Sequence, residues 1–333
     1  MRRTASILVA ASAVYAVVAA AGGVSDAVAA FQNLRVRWVI TGVVIGSLRL
    51  GCYGAQLHRL TSHLRTPPLV AYALGWVLYG FGAVTPAAPA EGLAMTGAVL
   101  QRHGANRRET TIALAFSEWF AQRTFYVVAS INLLITAALG DLPLDTQWPL
   151  IVSALVVTGG LVLTAFLAQK PTVAANVALV AKAARHPRRP RPPEDTTRVA
   201  AIEWHESAMK VVGPPPRRVG TALVSVAAVV ADAMTMWCMC KAAALHVGFD
   251  VAVLAAAAGT VASWIPLLPG GLGVVEAAIP AVLHASGAPF GAALAATVVY
   301  RAAGTLLPAL VGATMFIALR RPRSPCRTIA HEP

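Results

Sequence analysis

The chain has 333 residues, of which 57% are hydrophobic and only 12% charged, and its mean hydropathy is +0.66. That excludes a soluble globular domain and a disordered polymer, and leaves a polytopic membrane protein. The formal net charge of +13 is gathered into a few loops, so it reads as membrane topology and not as a nucleic-acid footprint.

Taken in chain order, apolar segments at 5–23, 38–57, 110–139, 148–169, 219–244 and 290–319 are each long enough to cross about 30 Å of hydrocarbon at 1.5 Å per residue. Arg2 and Arg3 precede the first of them, and the Ala-rich stretch at 19–21 also fits a cleavable signal peptide. Val24 to Trp38 is expected as an amphipathic helix at the outer interface, with Phe31 and Leu34 down. Two further apolar segments, 69–100 and 251–286, are interrupted, the first around Pro86 and Pro89 and the second from Pro266 to Gly273. Residues 170–218 form a basic cytoplasmic loop with ten Lys and Arg against four acids, a composition that favours anionic headgroups of the inner leaflet. Within it Glu203, His205 and Glu206 lack the spacing of a metal site and read as a solvated helix face, as do His58 and His63 at a span end. Cys52, Cys238, Cys240 and Cys326 show no CxxC pair or extracellular pattern and read as reduced packing residues.

Charge distribution orients the chain. With both termini cytoplasmic, the inner loops and Arg2-Arg3 hold 21 of the 27 Lys and Arg residues, and the outer connections hold Arg35 and Arg37 beside Asp26, Asp141, Asp145 and Asp250. In that orientation each interrupted segment begins and ends on one face. The expectation is therefore an all-α membrane protein, a single domain over 1–333, with about six spanning helices and two oppositely oriented re-entrant hairpins. Span, hairpin and span recur in repeat 1, about 38–139, and inverted in repeat 2, about 219–319. Inverted repeats with broken helices point to a transporter site near the midplane.

The candidate site residues are those the bilayer penalises. Leu268-Pro269-Gly270-Gly271-Leu272-Gly273-Val274-Val275-Glu276 places a helix breaker, three glycines and a carboxylate inside an apolar stretch, where a charge costs roughly 2.5–3.5 kcal/mol on insertion scales. Pro86 to Glu91 is its counterpart in the first half, and the following spans carry Glu118 and Arg123, then Tyr300 and Arg301. Arg49, Asp232 and Lys241 are further intramembrane charges without an assigned partner, Asp232 being able to pair with any cation and Lys241 to snorkel outward. In the physical reading, the hairpin tips aim helix N-termini at a lipid phosphate, the glycines admit close backbone approach, and Arg123 and Arg301 supply cations. Glu91, Glu118 and Glu276 then act as partners or proton switches. The plain alternative is that the same charges form salt bridges that fix helix packing.

The Pro-Gly-Gly-Leu-Gly-Val-Val-Glu run followed by Tyr300-Arg301 resembles the flippase-like family that includes the membrane domain of lysylphosphatidylglycerol synthase. The similarity extends over most of the chain and is looser in the first half, where Pro86 to Glu91 lacks the glycine and Glu118 and Arg123 are separated. The resemblance implies lipid translocation, or service to lipid-linked glycan and aminoacyl-lipid pathways, in a bacterial cytoplasmic membrane. Aminoacyl transfer is not expected, because no synthase domain follows residue 333. The expected partners are membrane lipids, anionic or lipid-linked, together with enzymes of lipid or glycan biosynthesis, and no cofactor or metal is expected. A membrane transferase is disfavoured, since the loops carry no paired Asp motif, Gly-rich nucleotide loop or nucleophile elbow. A scaffold for a biosynthetic complex and a small-solute transporter remain open.

Overall fold

The computed structural model describes residues 29–64, 66–85, 88–139, 159, 194–263 and 271–320. Among them the secondary structure is helical throughout: α1 (Val36–Thr61), α2 (Pro68–Tyr79), α3 (Ala88–Arg102), α4 (Arg107–Leu139), α5 (Glu194–Val212), α6 (Pro215–Ala242), α7 (Phe249–Ser263), α8 (Val274–Ala285), α9 (Phe290–Arg301) and α10 (Leu307–Arg320), with a π-helical segment, Ala302–Leu306, joining the last two. Three stretches are long and apolar enough to cross a membrane, Val36–Leu64, Pro215–Ala242 and Phe290–Arg320, and they coincide with the expected spans at 38–57, 219–244 and 290–319. The expected span at 110–139 is part of one continuous helix of 33 residues. The expected spans at 5–23 and 148–169 lie outside the described residues. The interfacial helix expected through Trp38 ends earlier, because helix at 29–32 closes by Asn33 and Trp38 already belongs to α1.

Local chemistry explains the helix boundaries. Pro68 and Pro215 start α2 and α6 at the first-turn position where a missing N–H costs nothing. Asn106 caps α4, its Oδ1 accepting from the Arg108 N–H at 3.0 Å. In hydrocarbon a backbone must satisfy itself internally, and so the apolar segments fold as helices and not as open strands.

The bundle is organised around α1 and α6, which run antiparallel over their whole length. The Arg35 N–H donates to the Ala242 carbonyl at 2.9 Å, a Cβ at Gly46 would touch Thr235 at 3.6 Å, Ser225 donates to Gln56 at 3.1 Å, and Arg217 donates to Ser62 at 2.6 Å. Against this pair the two interrupted segments enter from opposite ends. α2 runs from the Arg217 end, with His58 and Tyr72 rings 6.4 Å apart, as far as Tyr79, which stacks on Tyr53 at 4.0 Å. There the chain turns, and α3 comes back to Arg102, which donates to the Arg320 carbonyl at 2.9 Å. α7 leaves the Ala242 end, and α8 returns beside it, with Gly259 against Ile279 and Gly271 against Ser263. The first helix of each pair bridges one central helix and one distant helix: α2 lies on α1 and α10, and α7 lies on α6 and α4.

Glycines bring α2 into backbone contact with its neighbours. A Cβ at Gly75 would meet the Gly54 amide nitrogen at 2.6 Å and its Cα at 2.7 Å, a close approach typical of membrane helix interfaces. Gly75→Val is therefore expected to lower the unfolding free energy in detergent by about 2–3 kcal/mol through overpacking. Gly51→Val, whose Cβ would meet nothing within 4 Å, serves as the control, and thermal unfolding followed by circular dichroism checks both.

Candidate functional site

The tip of the α7–α8 pair is built by backbone conformations that only glycine adopts freely. Gly271 has φ +67° and Gly273 φ +86°, and α8 starts at the next residue, Val274. Three residues into the helix, the two Glu276 oxygens are divided between two partners. Oε2 accepts from the Gly273 N–H at 2.7 Å, and Oε1 accepts from Arg301 Nε at 3.0 Å. Glu276 is thus at once the cap of α8 and the ion-pair partner of a cation on α9. Both side chains are mostly buried, at 14% and 13% exposure. Arg301 Nη1 reaches Thr305 Oγ1 at 3.4 Å. The positive end of the α8 dipole and a guanidinium therefore converge on one spot. Pro269 and Gly270 lie outside the described residues.

A second charged cluster lies beside the first, and the adjacent residues Tyr300 and Arg301 divide between them. Arg49 on α1 pairs with Asp232 on α6, the Tyr300 hydroxyl donates to Asp232 Oδ1 at 2.9 Å, and Arg49 Nη2 donates to the Gly304 carbonyl at 2.7 Å. Gly304 belongs to the π-helical segment, where the i to i+5 pattern disturbs regular backbone pairing and leaves a carbonyl for the arginine. Arg49 Nε is buried without a hydrogen-bond partner among the described residues. Their adjacency in the sequence groups Tyr300 with Arg301, whereas the Tyr300 hydroxyl serves Asp232. Neither Arg49 nor Asp232 carried a local signal for the other, since they are 183 positions apart.

The first-half candidates are arranged differently. Glu91 sits in the first turn of α3, half-buried, and Gly92 packs beside Gly82. This mirrors the placement of Glu276 near the start of α8. Glu118 interacts with the Tyr79 hydroxyl, which also lies 3.2 Å from Ser117 Oγ. Ser117 in turn accepts from Gln56 Nε2 at its carbonyl at 2.6 Å. The Arg123 guanidinium lies over the Trp119 ring at 4.1 Å, so the two charges of this span face different partners and do not reproduce the Glu276–Arg301 arrangement. Lys241 rests over the Trp237 ring at 5.2 Å, an aromatic contact compatible with snorkelling. Arg49, Tyr53 and Gln56 stand on one face of α1 at i, i+4 and i+7. Together they string a polar seam from the Gln56–Ser117 contact to the Arg49–Asp232 pair.

The loop candidates show no such convergence. Among the described residues no group of three His, Cys, Asp or Glu could hold a metal ion, and Glu203 lies 3.8 Å from Arg108. Cys52, Cys238 and Cys240 are free thiols, and Cys326 lies outside the described residues.

A sequence model of the family described as lysylphosphatidylglycerol synthase TM region matches residues 4–312. No curated protein matches the chain.

Proposed function

We propose, from the premise that this chain belongs to the lysylphosphatidylglycerol synthase TM region family, that it moves an anionic lipid or lipid-linked intermediate between the leaflets of a bacterial cytoplasmic membrane. The observation that carries this reading is the Glu276–Arg301 pair, held at a glycine-built helix start. In our proposal the two interrupted segments are helix-break-helix units that approach the depth of this pair from opposite ends of the α1–α6 axis. In this reading the units are re-entrant hairpins of an inverted repeat, and the ends carrying Arg102, Arg217 and Arg320 face the cytoplasm.

The same geometry supports a mechanism. A lipid phosphate reaching the tip competes with Glu276 for Arg301, because both anions seek the same guanidinium. A proton on Glu276 removes that competition, leaves a carbonyl oxygen that can still accept from the Gly273 N–H, and releases the cation to the phosphate. Return of the proton to water then restores the ion pair and expels the headgroup. No enzymatic step is assigned to the chain.

One observation favours a second reading, the scaffold. Both Glu276 oxygens are already satisfied within the protein, as expected of a charge that fixes helix packing. Liposomes containing fluorescent anionic or zwitterionic lipid, quenched from outside with dithionite, separate the two. Transport predicts faster exchange of the anionic lipid. Arg301→Ala should slow it about 10- to 100-fold, the kinetic equivalent of one charge-assisted contact worth about 1.5–3 kcal/mol. Glu276→Gln should abolish its response to a pH gradient. Exchange equal to empty liposomes for every lipid, with both variants folded, supports the scaffold.

A further inference from the structure

Away from the central charges, α3 and α10 enclose a groove of about 320 Å³ lined by Ala94, Met95, Ala98, Val99, Arg102, Phe316 and Arg320. The two helices run in the same direction and end together, as the Arg102–Arg320 contact shows. From Ala94 to Arg102 the groove therefore extends about 12 Å along the helix axis at 1.5 Å per residue. Its walls are apolar, and Ala94 and Ala98, one helical turn apart, leave the space. Both cations stand at one end. Arg320 lies over the Phe316 ring at 5.1 Å, and Arg102 Nη1 is used on the Arg320 carbonyl at 2.9 Å. That contact answers the negative end of the α10 dipole but leaves both guanidinium charges on residues lining the same groove. Among the described residues neither forms an ion pair.

We propose that this groove is a binding site for one anionic glycerophospholipid, with an acyl-chain segment along Ala94, Ala98 and Phe316 and the phosphate on Arg102 and Arg320. With no carboxylate paired to them among the described residues, the two cations favour an outside anion, and the apolar channel that begins beneath them favours an apolar chain covalently attached to it. A free phosphate answers only the first requirement and an apolar helix only the second. The volume lies at the lower end of the range for small-molecule sites, enough for part of a chain and not for a whole lipid. Basic pockets between helices at a membrane surface hold anionic headgroups in this manner. The site is separate from the Glu276–Arg301 pair, and its occupancy does not depend on translocation.

Native mass spectrometry of the purified protein, titrated with phosphatidylglycerol or phosphatidylcholine, tests the assignment. Wild type should retain phosphatidylglycerol preferentially. Arg102→Gln with Arg320→Gln should weaken that binding about 25-fold, roughly fivefold for each surface arginine. Ala98→Leu, which fills the groove at an exposed position and keeps both charges, should weaken it as well, and Arg107→Gln, which removes an exposed arginine outside the groove, should leave it unchanged. Unaltered retention in the double arginine variant overturns the proposal. So does loss in Arg301→Ala alone, which moves the bound lipid to the central pair. If excess inorganic phosphate displaces the lipid and Ala98→Leu has no effect, the site recognises only an anion, and the acyl-chain assignment fails. Circular dichroism of each variant separates loss of binding from loss of fold.

Discussion

Asp232→Ala is expected to destabilise the protein by about 3–5 kcal/mol, the cost of leaving one member of a buried ion pair without its partner. Asp232 accepts from Arg49 and from the Tyr300 hydroxyl, so its removal strands a guanidinium exposed at only 13% and a phenol together. Among the described residues Arg49 already holds one buried nitrogen without a hydrogen-bond partner and then keeps only the Gly304 carbonyl as an acceptor. The double replacement Arg49→Met with Asp232→Leu removes both charges and should return stability to within about 1–2 kcal/mol of wild type, because a well-packed apolar pair in hydrocarbon has no desolvation cost to recover. Chemical or thermal unfolding in detergent reads both variants. Equal destabilisation by the single and double changes would show that the pair is not the coupled unit described here.

Gly271→Val should have the next largest effect, about 3 kcal/mol. Two costs add at this position. The backbone stands at φ +67°, where a side chain costs roughly 1–2 kcal/mol. A Cβ would also lie 2.7 Å from Ser263 Cα and 2.9 Å from a Val275 methyl, an overpacking worth about 1–3 kcal/mol. Gly104→Val separates the two, because Gly104 has φ +86° but open space around its Cβ, and it should cost only the backbone share. The clash also bears on the site. Relieving it pushes the start of α8 away from α7 and carries Glu276, held to Gly273 at 2.7 Å, off Arg301. Lipid exchange should therefore fall more in Gly271→Val than in Gly104→Val even when both are assayed well below their unfolding midpoints.

The legibility of the site follows from the range of the interactions. Glu276 and its glycines stood out because helix breakers and a charge coincide within eight residues, and the cap they form is local, Gly273 to Glu276. Arg301 was recognisable as an intramembrane cation. Its partnership with Glu276 depended on α8 packing against α9, which a short hairpin of chain makes probable from proximity alone. Glu118 and Arg123 invited the same interpretation and went elsewhere, to the Tyr79 hydroxyl and the Trp119 ring. Five positions on a helix turn two side chains well away from one face, so their closeness in sequence did not imply a pair. The groove at Arg102 and Arg320 left no trace in either segment, since five of its lining residues come from α3 and two from α10.

By itself the amino-acid sequence determined the membrane class, the family, three segments long and apolar enough to span, and that two further apolar stretches are interrupted. Those properties depend on composition within windows of about 20 residues and on Pro and Gly acting on their own backbone. Tertiary structure alone decided which charges meet. Arg49 finds Asp232 because α1 and α6 lie antiparallel in one register along their length, Tyr300 and Arg301 point to different acids because successive helical residues diverge by about 100°, and two arginines share a groove because α3 and α10 end at the same level. Each outcome depends on rotational phase and register between helices distant in sequence, quantities that hydropathy does not encode.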